Sequence, residues 1–354
     1  MHSDLLFPKR EPRELNEREK SILRSIVQMY ILTANPIGSR FVSRYLEQEF
    51  KLSPATVRNV MSDLEEMEFI GHPHTSAGRV PTDKGYRVYV DYLMQAEKIS
   101  DTERSVVKDN LMISSPEMLL KDASKILGSL SKYLGVVELP NFLDVIVRRL
   151  QLIGLSSSRL LVVMELESNS VRTVTLEAQY EIDYRTLEAT AQFINERISG
   201  KSIKFLKENF TEVIAEADTS NPTLRLFIDS VDSLFALRKY EDKVHIAGRP
   251  NLLSHPEFEH PERIKGVIEL VENEDVIIHL LEKQDKNDSG IKIAIGQELD
   301  NELLNDYSLV ATTYQVGSAS GLIGLIGPKR MNYSKMVDLV GYVSKVLSLR
   351  NNGG

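Results

Sequence analysis

The 354-residue chain contains no cysteine. That excludes disulfides and thiolate metal sites, and it fits the reducing cytoplasm. No apolar run approaches the roughly 20 residues that a membrane-spanning helix needs, so no membrane partner is expected. Met1–Arg13 is polar with two prolines and carries no apolar targeting segment, which reads as a mobile arm. No G-x-G-x-x-G opens a helix and there is no G-K-[ST]. Gly317, Gly321, Gly324 and Gly327 therefore read as turn glycines of a strand region, not as a phosphate cradle. No serine sits in a G-x-S-x-G elbow and no acid/base pair stands out. His72 and His74 alternate on one short segment, and His255 and His260 precede prolines, but no Asp or Glu at ligand spacing joins them. They read as loop histidines. No enzyme activity, cofactor or metal is expected.

What is present centres on residues 53–82. Ser53-Pro54 is a helix cap followed by proline at the first helical position. Val57, Val60, Met61 and Leu64 then share one apolar face, and Ala55, Arg58, Asn59 and Ser62 share the opposite one. Arg can bond both guanine acceptors of the major groove and Asn both adenine groups, while Ala and Ser let the backbone approach. The acidic run Asp63, Glu65, Glu66, Glu68 begins where such a helix leaves the phosphates. Phe69–Gly71 and Val80-Pro81 read as short strands around a Gly/Ser/Thr loop, His72–Arg79, of the kind a winged helix inserts beside the groove.

The preceding chain strengthens this reading. Asn16 with Glu19 forms a capping-box pattern, and Ile22, Leu23, Ile26, Val27, Tyr30 and Ile31 keep one helical face apolar. Asn35-Pro36 breaks that helix and Gly38-Ser39 starts another, with Val42, Tyr45 and Leu46 expected inward. Helix, helix, short turn, helix, hairpin is the order of a winged helix-turn-helix. Thr82 should cap a further helix over Asp83–Glu97, packing back through Tyr86, Tyr89, Val90 and Leu93.

These words resemble the HrcA family of bacterial heat-inducible transcription repressors: PIGSR (Pro36–Arg40), SPATVRNVMSDLEEMEFI (Ser53–Ile70), HTSAGRVPTDKGYRVYVDYL (His74–Leu93), GRPNLLSHPEF (Gly248–Phe258) and GLIGLIGPKRMNYSKMVDLVGYVSKVLS (Gly321–Ser348). The likeness runs from about Leu15 to Leu347 and is least distinctive over Ile99–Leu139. It implies a palindromic operator upstream of chaperonin and Hsp70 operons, and activation by the chaperonin GroEL.

Net charge is −8, yet residues 1–98 hold 14 basic and 14 acidic side chains, so the whole excess lies in 99–354. Within 36–62, Arg40, Arg44, Lys51 and Arg58 face only Glu47 and Glu49. A locally basic reader on an acidic body suits specific binding with weak non-specific affinity.

Residues 99–147 look mostly helical. Strands are expected at Leu150–Leu155, Leu160–Leu166 and Val171–Leu176, a helix at Tyr184–Ile198, strands again at Ile291–Ile295, Tyr307–Tyr314 and Leu322–Ile326, and a closing helix over Ser334–Leu349. Strands and helices on both sides of about ninety residues suggest one interrupted α/β domain. The resemblance makes it GAF-like, with an inserted dimerising domain.

The expected class is α+β multidomain: a winged helix-turn-helix at 1–98, a GAF-like domain at 99–202 and 289–354, and a dimerising insertion at 203–288. The expected function is repression by a cytoplasmic homodimer on an inverted repeat of double-stranded DNA. Arg58 and Asn59 should read bases, with Ser39, Arg40 and Thr75–Gly78 on phosphates and Arg79 at the minor groove or backbone. Ser53, Ala55, Thr56, Ser62, His74 and Ser76 complete the DNA-facing set. A small-molecule-responsive regulator sensing through the GAF-like domain is the alternative, and an enzyme using its winged helix for protein contacts is a third reading.

Overall fold

The computed structural model describes residues 15–48, 50–73, 78–115, 118–140, 144–167, 171–214, 222–235, 244–258, 272–283, 290–316 and 319–351, with Gly266, Ile268 and Leu270. The expected arm Met1–Arg13, the wing tip His74–Ala77, Pro116, His260 and Gly317 lie outside these residues. The described residues divide into two compact units, one of 1–138, 244–314 and 322–347, the other of 139–243, 315–321 and 348–354.

The first unit begins with α1 (Glu17–Thr33), α2 (Ser39–Tyr45), α3 (Pro54–Glu66), the strands β1 (Ile70–Gly71) and β2 (Val80–Pro81), and α4 (Asp83–Val88). The capping box forms: Asn16 Oδ1 accepts from the Glu19 amide at 3.0 Å, and Glu19 Oε2 accepts from the Asn16 amide at 2.8 Å. Ile22, Leu23, Ile26 and Val27 of α1 are fully buried, each contributing about 1.5–3 kcal/mol relative to exposure. Tyr45, expected inward, is instead 57% exposed. Val42 and Leu46, four apart, already fill the inner face of this seven-residue helix, and Tyr45 lies beside that line. The helix expected to reach Glu97 ends at Leu93, after one π-type turn. Beyond it the Glu97 amide donates to Ser334 Oγ and the Ile99 amide to Asp338 Oδ2, so bonds to the C-terminal helix take the place of further helical ones.

Helices α5 (Asp101–Ile113) and α6 (Leu119–Ser131) follow, then a five-stranded sheet ordered β7-β3-β10-β9-β8. Its strands are β3 (Leu134–Glu138), β7 (Val244–Ala247), β8 (Lys292–Ile295), β9 (Tyr307–Val316) and β10 (Ala319–Pro328). Leu134, Val136, Leu309 and Ala311 share one buried cluster with Ile277 and Leu281 of the helix Glu274–Glu282. Ser308 Oγ lies 2.7 Å from Tyr333 Oη of the helix Tyr333–Asn351, which places that helix over the other face of β9.

The second unit holds β4 (Val147–Ser156), β5 (Arg159–Leu166) and β6 (Val171–Glu177) in an antiparallel sheet of their own, with the helices Leu187–Ile198, Ile203–Val213, Pro222–Asp229 and Val231–Phe235. The expected boundaries at 202 and 288 do not coincide with these units. The chain leaves the larger sheet after Glu138 and re-enters at Val244, and those two residues are cross-strand partners. The excursion therefore spans 139–243, and the three strands read as part of the α/β domain belong to it. Strands β3 and β7, whose pairing marks both ends, are short; β3 lies in the stretch expected to be mostly helical and β7 within the expected insertion.

Candidate nucleic-acid interface

Helix α3 is built from local signals. Ser53 Oγ accepts from the Thr56 amide at 3.1 Å and lies 2.9 Å from Thr56 Oγ1, so two of the expected DNA-facing side chains form the cap. Val57, Met61 and Leu64 are buried, Val60 is half-buried, and Ala55, Arg58, Asn59 and Ser62 are exposed together on the opposite face. Ser43 Oγ donates to the Leu52 carbonyl at 2.7 Å, tying α2 to the turn that enters α3. Arg40 is exposed on α2 and Ser39 is half-buried at its start. Phe41 is 53% exposed beside Arg40, so α2 presents two aromatic rings, Phe41 and Tyr45, among Arg40 and Arg44. Only the exposure of these rings marks them out, because their sequence spacing also fits a buried face.

The base of the wing is held from two sides. Ile37 and Arg79 exchange backbone hydrogen bonds at 2.8 and 2.9 Å, which adds the α1–α2 linker to the wing strands. Gly78 is buried there, and a Cβ at 78 would lie 2.7 Å from the backbone of Pro36. Its role is close approach, and no side chain fits. Arg79, expected at the minor groove or backbone, is paired within the protein. Its Nε and Nη2 donate to Glu65 Oε2 at 3.0 and 2.8 Å, and Nη1 lies 2.9 Å from His72 Nδ1. His72 Nε2 is 3.4 Å from Glu65 Oε1. With Nδ1 accepting from Arg79, the ring proton sits on Nε2 and faces the carboxylate. Arg79 thus fastens the wing to α3. The wing residues His74, Thr75 and Ser76 lie outside the described residues.

The exposed polar surface of α3 has Arg58 and Asn59 at its centre with Ala55 and Ser62 beside them, and Arg40 is exposed on the preceding helix. Neither Arg58 nor Asn59 makes a hydrogen bond or ion pair within the described residues. Two exposed polar side chains of the types that read guanine and adenine stand free on a helix whose other face is locked into a core.

Comparison with known proteins agrees with this geometry. Residues 14–92 match the profile described as "Winged helix-turn-helix transcription repressor, HrcA DNA-binding", and residues 117–337 match "HrcA protein C terminal domain". The chain belongs to the HrcA family. Among HrcA relatives, the "Heat-inducible transcription repressor HrcA" of Chlorobium phaeobacteroides is 36% identical, across 95% of this chain and 98% of its own length. That of Prosthecochloris aestuarii is also 36% identical, across 95% and 97%. A crystal structure of a hypothetical protein, 26% identical, matches with a TM-score of 0.59, covering 96% of this chain and 99% of that one. HrcA proteins are transcription repressors and not enzymes. Among the described residues no helix is long and apolar enough to cross a membrane.

Proposed function

We propose that the protein is a cytoplasmic homodimer that represses chaperonin and Hsp70 operons by occupying an inverted-repeat operator. The carrying observation is the outer face of α3, where Arg58 and Asn59 are exposed and unpaired on a capped, core-anchored helix. Arg58 and Asn59 read base edges in the major groove, and Arg40 and the start of α2 position the domain on phosphates. The five-stranded sheet with its helices serves as a GAF-like body, and the excursion 139–243 as the dimerising insertion. The chaperonin GroEL keeps the repressor in its DNA-competent form, so that unfolded proteins produced by heat draw the chaperonin away. That reading is supported by the relatives' naming as heat-inducible.

Footprinting of the full chain on the chaperonin and Hsp70 promoters, with and without chaperonin and ATP, tests both halves. A protected inverted repeat whose occupied fraction rises with chaperonin is expected, with the midpoint per active dimer unchanged. Protection of unrelated DNA to the same extent overturns the operator reading, and an unchanged occupied fraction overturns the chaperonin step.

A further inference from the structure

Helix α4 grips two things at once. On one side it holds the end of α3: Thr82 Oγ1 donates to the Glu68 carbonyl at 2.6 Å, the Thr82 amide to the Phe69 carbonyl at 3.2 Å, and Lys84 Nζ to the Met67 carbonyl at 2.8 Å. On the other it holds the end of the five-stranded sheet. Asp83 Oδ1 accepts from Lys329 Nζ at 2.6 Å and Asp83 Oδ2 from the Gln297 amide at 3.1 Å. Arg87 Nε donates to Glu298 Oε1 at 2.8 Å, its Nη2 pairs with Glu298 Oε2 and also reaches the Ile293 carbonyl at 2.7 Å. Glu298 is held in turn by the Ile295 amide at 2.9 Å.

The receiving backbone is shaped for these side chains. Gly296 has φ +54°, and a Cβ there would lie 2.1 Å from Asp83 Oδ2. A second fastening lies nearby: Arg330 Nη1 donates to the Ile31 carbonyl near the end of α1, whose last turn contains no basic residue of its own, while Glu257 pairs with the same guanidinium. Asp83 and Arg87, one helical turn apart, thus join a short rigid strut. One end of the strut is the recognition helix and the other is the edge strand β8 and the β10 end. A bidentate guanidinium–carboxylate pair and a buried-edge carbonyl fix angle as well as distance, which an apolar contact does not.

We infer that Asp83 and Arg87 are positioning residues for operator recognition. By fixing the pose of α3 against the five-stranded sheet, they set the half-site spacing that a dimer accepts. This rests on the dimeric operator reading above. Two recognition helices read half-sites about one helical turn of DNA apart, so a rigid mounting converts into a strict spacing requirement and a loose one does not.

The test uses the full chain with Arg87→Glu, Glu298→Arg and the two together, on operators whose half-sites are moved apart by up to half a helical turn. The unaltered chain should lose roughly 100-fold in affinity at half a turn, the scale of linked binding. Arg87→Glu should bind the original spacing more weakly, and its dependence on spacing should shrink to less than about tenfold. The double exchange should restore the dependence, which a merely destabilised fold would not do. Equal spacing dependence in Arg87→Glu and the unaltered chain overturns the inference. So does a rise in affinity at every spacing, which would make the contact a brake. Because the chain has no cysteine, spin labels at Arg18→Cys and Lys345→Cys, diluted with unlabelled chain, read the pose directly without DNA. Arg87→Glu should broaden that distance distribution, and an unchanged distribution overturns the strut. If the unaltered chain itself ignores spacing, the operator reading fails, and the distances alone decide whether the strut exists.

Discussion

Arg58 and Arg79 stand on opposite sides of the same recognition unit, and the fold uses them in opposite ways. Arg58 sits mid-helix on the outer face of α3 with no partner among the described residues. Arg79 sits at the wing base, only 17% of its side chain exposed, holding Glu65 and His72. By residue type and neighbourhood both read as DNA contacts. The acidic run after Asn59 separates their surroundings: Glu65 is three-dimensionally beside the wing base though fourteen residues away, and its carboxylate pairs with Arg79. Arg58, more than a turn earlier on the helix, has no such acid within reach on its face. The same run of negative charge that follows the Arg58/Asn59 face also holds Arg79 at the wing base.

Replacing each arginine by alanine should separate the two roles. Arg79→Ala removes three hydrogen bonds to or from charged groups and leaves Glu65, 28% exposed, without them. A loss of about 3 kcal/mol in the unfolding transition that reports the N-terminal domain is expected, since bonds to charged groups contribute about 1.5–3 kcal/mol each and are not additive. Arg79→Lys should recover less than half, because one ammonium does not reproduce the fork. Operator and random DNA should be affected alike. Denaturant unfolding beside binding on both DNAs checks this, and full stability with lost operator affinity would place Arg79 in the groove after all.

The contrast also shows what was legible beforehand. The winged helix was readable because its signals are local: the Asn16–Glu19 box, the Ser53 cap and the Val57/Met61/Leu64 stripe are all fixed within a few residues. The strands β4, β5, β6, β8, β9 and β10 were readable from runs of apolar and β-branched residues. Strands β3 and β7 were not, since their pairing joins Glu138 to Val244 across the whole excursion. That one pair is what brings 139 and 243 to the two ends of one excursion from the sheet. In the site, the Arg58/Asn59 face was legible from periodicity alone, whereas the capture of Arg79 and the burial of Gly78 against Pro36 depend on partners distant in the chain.

The second prediction sharpens the Arg58 side of the comparison. Asn59 shares the free face, so Asn59→Ala should reduce discrimination at one base position by about 2 kcal/mol. Stability should stay within about 0.5 kcal/mol, the range of surface changes away from structural features. A panel of operators with single base changes measures it. Equal weakening on every operator in the panel would show that Asn59 reads no base.

Arg40 provides the smallest and most diagnostic effect. It is exposed on α2, the helix that crosses the DNA backbone when α3 lies in the groove. Unlike Arg79 it makes no ion pair within the described residues, and unlike Arg58 it does not lie on α3. Its guanidinium should therefore meet a phosphate and carry no sequence information. Neutralising one phosphate contact lowers the slope of log affinity against log salt by about 0.9 per contact. In a symmetric dimer both copies lose the contact, so Arg40→Gln should reduce the slope by about 2. Affinity at low salt should fall several-fold and by the same factor on operator and random DNA, leaving the specificity ratio fixed. At high salt the variant and the unaltered chain should converge, because the counterions that Arg40 would release are already in excess. Titrations at four or five salt concentrations on both DNAs decide it: an unchanged slope, or a loss confined to the operator, would move Arg40 from the phosphates to the bases and leave α2 with a part in reading sequence.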